Sequence, residues 1–347
     1  MKIQKIEKSN ISNIDFNNLN FGGVFTDHMF VCSFKKGEWT NPEIKPYQPI
    51  SISPSARVFH YGQACFEGMK AYKDQNNKIW LFRPKDNHGR IVKSSERLAM
   101  PGIPEEIFME ALIKLIDLDK DWIKSGVGNS LYIRPFIFAD QASVIASEAD
   151  EYKFMIICAP ANTYYTGDVR VKIEKSFSRA SKGGVGYAKA AGNYAAQFYP
   201  TILARNEGFQ QIIWTDSSNH EYIEEAGTMN LFFRIGDTLL TAPTSDSILD
   251  GITRKSLIEI AKKEGIKIEV RPIKVAEIIE AQKKEQLKEI FGSGTAVTIL
   301  PIKGFGYENK KYELPNVENP FSTFLKKKLN DIQYNISDDP FGWRVEA

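Results

Sequence analysis

The chain has 347 residues, of which 42% are hydrophobic and 25% charged, and a formal charge of +2. That length exceeds most single cores and predicts two domains. The near balance of 45 basic and 43 acidic residues gives no electrostatic case for nucleic acid or for an anionic membrane. Cys32, Cys65 and Cys158 form no CxxC and have no nearby histidine pair, so neither a disulfide framework nor a metal site is expected, and a reducing cytosol fits. The opening "MKIQKIEKSNISNIDF" lacks the apolar run of a signal peptide, and no later stretch approaches a membrane span. A cytoplasmic protein is expected.

In chain order, "KIWLFRP" (78–84) predicts a strand ending at proline, followed by a helix over 85–100. A clearer amphipathic helix over 104–123 opens with proline and two glutamates. "SLYIRPFIFA" (130–139) and "YKFMIICAP" (152–160) predict strands, the second so apolar that it belongs in the middle of a sheet. The pattern loosens between 160 and 190 and then restarts, which places a domain boundary near residue 170. Beyond it come a helix over 193–208, a strand at "QQIIWTD" and a hairpin turning at Gly236-Asp237. A helix over 251–265 closed by Gly265 follows, then a strand over 289–302 broken by glycines. Strands and helices mix without regular alternation, so the expected class is α+β with two domains.

The stretch "KGGVGYAKAAGNY" (182–194) nearly spells a P-loop, but Ala190 follows Lys189 where a Ser or Thr is required. Small neighbours (Ala188, Ala190, Ala191, Gly192) let a planar group approach Lys189, and desolvation there favours a nucleophilic neutral amine. Such a lysine serves a Schiff base with an aldehyde cofactor; a surface lysine in a loop is the alternative. Pyridoxal 5'-phosphate would add further requirements. Glu224 and Glu225 offer a ring-nitrogen carboxylate, with only one expected to face inward, unless both lie on a solvated hairpin edge. Gly251, Ile252 and Thr253 at a helix N-terminus, Thr295 in "GSGTA" and Arg90 offer phosphate contacts. Tyr132 and Arg134 share one strand face as candidates for a carboxylate, and Tyr61 and Phe66 are candidate walls of an apolar pocket.

The ordered set "HYGQACFEGMKAY", "LFRPKDNHGRI", "YIRPFIF", "GYAKAAGNYA", "EAGTMNLF", "DGITR" and "FGSGTA" strongly resembles the branched-chain amino-acid aminotransferases among the fold type IV pyridoxal-phosphate enzymes, from about residue 25 to "LNDIQY". The resemblance implies two domains of α/β-type layers with the cofactor between them: a smaller one over 1–170 and a larger one over 171–347 carrying the Schiff-base lysine. It implies a homodimer and ping-pong transfer of the amino group of leucine, isoleucine or valine to 2-oxoglutarate. It makes Lys189 the Schiff-base lysine, Tyr194 the partner of the cofactor's phenolic oxygen and Glu225 that of its ring nitrogen. Arg90, Ile252, Thr253 and Thr295 would hold the phosphate. Tyr132 with the backbone of Thr295 and Ala296 would receive the α-carboxylate, Arg134 the side-chain carboxylate of glutamate, and Tyr61 and Phe66 the aliphatic side chain. Two departures stand out: Ala191 replaces a frequent glycine, and no CxxC follows "GTA".

Overall fold

A wide sheet with helices packed against it builds the first of two units. In the computed structural model, which describes residues 1–162 and 167–347, the units are Met1–Tyr164 with Ala188–Gly192 and Asn330–Ala347, and Tyr165–Tyr187 with Asn193–Leu329. The expected division at residue 170 differs from this in placing Lys189 and the last helical turn in the second domain. The reason is local pairing. The Phe66 N–H donates to the Lys189 carbonyl at 3.1 Å and the Ala191 N–H to the Ala64 carbonyl at 3.0 Å, so 188–192 runs beside the strand Ala64–Phe66. The strand Arg344–Glu346 joins the edge of the same sheet.

The first unit's nine-stranded sheet runs Lys2–Ile3, Glu38–Pro46, His28–Lys35, Tyr152–Ala161, Ser130–Ala139, Met69–Lys73, Ile79–Phe82 and Arg344–Glu346, with Ala64–Phe66 added on Ser130–Ala139. The apolar strand Tyr152–Ala161 is central, as its composition predicts. Helix Pro84–Arg97 starts at a proline whose fixed φ suits the first turn, with Asp86 complementing the helix dipole. Its Ile91 packs with Phe108, Leu112 and Leu115 of helix Glu105–Leu118 against Leu131, Ile133, Phe154 and Ile156 of the sheet. That second helix ends before the expected residue 123 because Asp119 is buried against His28. Asp119 Oδ1 lies 2.6 Å from His28 Nδ1, and Oδ2 accepts the His28 N–H at 3.1 Å.

The second unit holds two five-stranded sheets. One runs Ile223–Ala226, Gln211–Thr215, Arg170–Ile173, Gly304–Tyr307 and Lys310–Glu313; the other runs Ile268–Val270, Thr238–Thr241, Asn230–Ile235, Leu287–Gly294 and Thr298–Ile302. The hairpin turns at Gly236-Asp237, where Ile235 pairs with Thr238 and Gly236 has φ 55. Ile223–Ala226, expected within that hairpin, pairs instead in the first sheet. Helix Ile252–Lys263 is followed by Gly265 at φ 72. Among the described residues no helix is long and apolar enough to cross a membrane.

Candidate active site

In the first unit the strand Ser130–Ala139 and the segment 188–192 bring five expected residues together. Strand alternation sets Tyr132 and Arg134 on one face, and Arg134 Nη2 donates to the Tyr132 hydroxyl at 2.8 Å. Arg134 Cζ lies 4.5 Å from the Phe66 ring centroid and Lys189 Nζ 5.0 Å from the same centroid. The Lys189 N–H is held by Ser94 Oγ at 3.0 Å, between the buried Ala188 and Ala190. Arg90 is engaged by Glu67, a fully buried carboxylate: Arg90 Nε to Oε1 is 2.6 Å and Nη2 to Oε2 is 2.8 Å. Asn87 Nδ2 donates to Oε2 at 2.6 Å. Burial alone would raise the Glu67 carboxyl, but Arg90, Lys189 and Asn87 outweigh it and hold it below the ordinary range. A Cβ at Gly68 would collide with the Tyr132 hydroxyl, so only glycine allows that approach. Tyr61 stands apart: it is 45% exposed, and its hydroxyl donates to the Val144 carbonyl.

In the second unit both glutamates of "EEAG" are buried, although one was expected to face solvent. The strand is covered on both faces. Glu224 accepts from Ser247 Oγ, while Glu225 pairs with Arg179 Nη2 at 3.0 Å and accepts from Asn230 Nδ2 at 3.0 Å and the Leu249 N–H at 3.1 Å. Asn230 also donates to the Leu249 carbonyl at 2.9 Å, and a Cβ at Gly251 would collide with its Oδ1. Gly251 therefore lets the N-terminus of helix Ile252–Lys263, with Ile252 and Thr253 buried, close up on the residue that orients Glu225. Strand register sets Ser293 opposite Asn230, which brings the turn containing Thr295 and Ala296 to the same end of the sheet. Tyr194 is half-buried in the first turn of helix Gly192–Asn206.

The family model for class IV amino-transferases matches residues 64–305. The chain belongs to the class IV aminotransferases. It is 42% identical over 341 residues to branched-chain-amino-acid aminotransferase 2 of Bacillus subtilis (strain 168), covering 96% of this chain and 93% of the relative. It is 40% identical to branched-chain-amino-acid transaminase 1 of the same organism, over 96% of this chain and 95% of the relative. In fold it resembles the branched-chain aminotransferase of Thermoproteus uzoniensis, solved with norvaline (TM-score 0.75, 22% identity, 92% of this chain and 99% of that one). It also resembles the enzyme of Thermobaculum terrenum solved in its PLP-form (TM-score 0.74, 18% identity, 91% and 97%). The two-domain α+β class expected from the sequence is that of this aminotransferase family.

Sequence reasoning did not single out Glu67, Asn87 and Ser94, or Arg179, Asn230 and Ser247, on which this aminotransferase hangs its site residues. Glu67 and Asn230 lie inside quoted motifs, next to or near residues that were chosen. Arg179 lies in an irregular stretch, and nothing in its neighbours marks it as the partner of Glu225. Glu224 is distinct electrostatically. Burial, with the Glu225 charge adding, pushes its carboxyl up to about 7 against the pull of Ser247 and Arg179, and its buried Oε2 has no hydrogen-bond partner.

Proposed function

We propose that the chain is a branched-chain amino-acid aminotransferase. It moves the amino group of leucine, isoleucine or valine reversibly to 2-oxoglutarate, by a ping-pong mechanism with pyridoxal 5'-phosphate held on Lys189. What carries the reading is Arg134, hydrogen-bonded to Tyr132, standing over Phe66 beside Lys189. An aliphatic side chain finds an apolar ring there. The buried Arg134 Nε, which has no hydrogen-bond partner, suits the second carboxylate of a dicarboxylic acid.

The residues also fit the cofactor. Glu225, held by three donors, supplies the carboxylate a pyridine nitrogen requires, and the N-terminus at Gly251, Ile252 and Thr253 suits a phosphate. Bound pyridoxal phosphate supplies a carbonyl for the substrate amine and a ring that disperses the charge left when the α-proton departs. Lys189 Nζ would take that proton from Cα and return it to the cofactor's former carbonyl carbon, a general-base role worth about 10²–10⁴-fold. By the family resemblance, Glu225 would serve the ring nitrogen, Tyr194 the phenolic oxygen, and Arg90, Thr295 and the Gly251–Thr253 segment the phosphate. Tyr132 with the N–H groups of Thr295 and Ala296 would receive the α-carboxylate and Phe66 the aliphatic group, while Tyr61, expected from the resemblance beside Phe66, stands apart from it. In this reading the protein is a cytoplasmic homodimer. The exposed apolar group of Phe59, Tyr61, Val144 and Ile145 supports the assembly, and light scattering of the purified protein tests it.

Incubation with leucine and 2-oxoglutarate tests the activity, with formation of glutamate and the branched 2-oxo acid expected. Absence of product, or of a visible band removed by borohydride, would overturn the reading.

A further inference from the structure

The proposed function leaves one buried charge at the site unassigned. Glu67 is fully buried and follows directly on Phe66, whose N–H is tied to the Lys189 carbonyl at 3.1 Å. It grips Arg90 at two guanidinium nitrogens, and Asn87 Nδ2 and the Gly68 N–H, at 3.2 Å, complete its shell. A planar fork held at two nitrogens by a carboxylate that is itself fixed keeps a single orientation. Lys189 is the other cation whose field Glu67 feels. Cys65 is a further titratable neighbour, whose thiol burial, with the Glu67 charge adding, pushes up to about 12.

We propose that Glu67 is a positioning residue of this site, which fixes the Arg90 guanidinium for the cofactor phosphate and supplies the counter-charge beside Lys189. The inference rests on the aminotransferase reading. It assigns to one carboxylate two effects that can be separated: orientation of a fork, which needs the length of glutamate, and negative charge, which aspartate also provides. In Glu67→Gln an amide nitrogen would face the donors of Asn87 and Arg90, so the fork has to turn.

The test compares the wild type, Glu67→Gln and Glu67→Asp, each binding pyridoxal phosphate and phosphate-free pyridoxal, with an absorbance titration of the lysine-linked cofactor against pH. Glu67→Gln is expected to lose about tenfold of the preference for the phosphorylated form. Its titration midpoint should fall by about one pH unit, because a lost negative charge disfavours the protonated nitrogen. Glu67→Asp should lose the preference but keep the midpoint, a split that a merely structural role would not produce. Wild-type values for both quantities in Glu67→Gln would overturn the inference. Should that variant fail to fold, Glu67→Asp decides, and an unchanged preference overturns the orienting role. A wild type that forms no lysine-linked band and does not favour the phosphorylated form would instead overturn the functional reading.

Discussion

Arg179 and Glu225 meet at 3.0 Å with side chains only 4% and 5% exposed. The guanidinium also donates to the Ser247 carbonyl at 2.7 Å and the Gly186 carbonyl at 3.1 Å, so it ties the loop before Lys189 to the strand bearing Glu225. Removing one member of such a pair leaves the other charge buried and unpaired, at a cost of about 3–5 kcal/mol. Arg179→Met should therefore lower the unfolding free energy by that amount in urea titrations, whereas Arg179→Met combined with Glu225→Met should be markedly less damaging. Equal losses in the single and double variants would contradict the pairing.

Lys189→Ala should leave the fold intact, because the backbone N–H that Ser94 holds at this position is retained. The amine is expected to be indispensable. Leucine-dependent formation of glutamate should fall by more than about 10⁴-fold, beyond what loss of a proton carrier alone produces. Circular dichroism matching the parent, together with lost turnover, is the expected pair of results.

Gly68→Ala separates substrate affinity from stability. The added methyl meets the Tyr132 hydroxyl, the far end of a side chain that can swing away, so the stability loss should stay below about 1.5 kcal/mol. If Tyr132 donates to the substrate carboxylate as proposed, displacing that hydroxyl should raise KM for leucine roughly tenfold. Steady-state kinetics beside a thermal melt would show the two effects apart.

Glu224 gives a pH dependence of defined sign. Its folded value of about 7 lies above the ordinary 4.5, so the fold prefers the protonated carboxyl. No penalty exists below the unfolded value; stability is lost as pH rises between the two values, and the loss is complete above the folded one. Screening reduces the full effect to about 1–2 kcal/mol. Glu224→Gln should thus be more stable than the parent by that margin at alkaline pH and equal to it in mild acid, as denaturant unfolding at the two pH values would reveal.

Regular elements were legible from periodicity. The strand Ser130–Ala139 matches its predicted span, and Gly236 and Gly265 mark turns where a positive φ is required. The helix after Pro104 came out too long, because burial of Asp119 against His28 depends on a strand distant in sequence. Tyr132 and Arg134 were legible as a pair since strand alternation fixes their common face. The partners of the chosen charges were not. Arg179 finds Glu225, and Glu67 finds Arg90, only through long-range folding, and no local spacing encodes those contacts. For the same reason the burial of both Glu224 and Glu225 escaped an argument from alternation, which assumed that one face of the strand stayed wet.

The first unit is stitched from three stretches of chain, the last of which supplies Arg344–Glu346 beside Ile79–Phe82 and places the Tyr334 hydroxyl on the Asn129 carbonyl at 2.8 Å. On a ribosome, the strand Ile79–Phe82 must wait for these residues with one edge unpaired. At ordinary elongation rates that wait lasts roughly thirteen to fifty seconds. An open edge for so long invites pairing with other nascent chains, so the newborn protein should depend on chaperones until Arg344–Glu346 arrives.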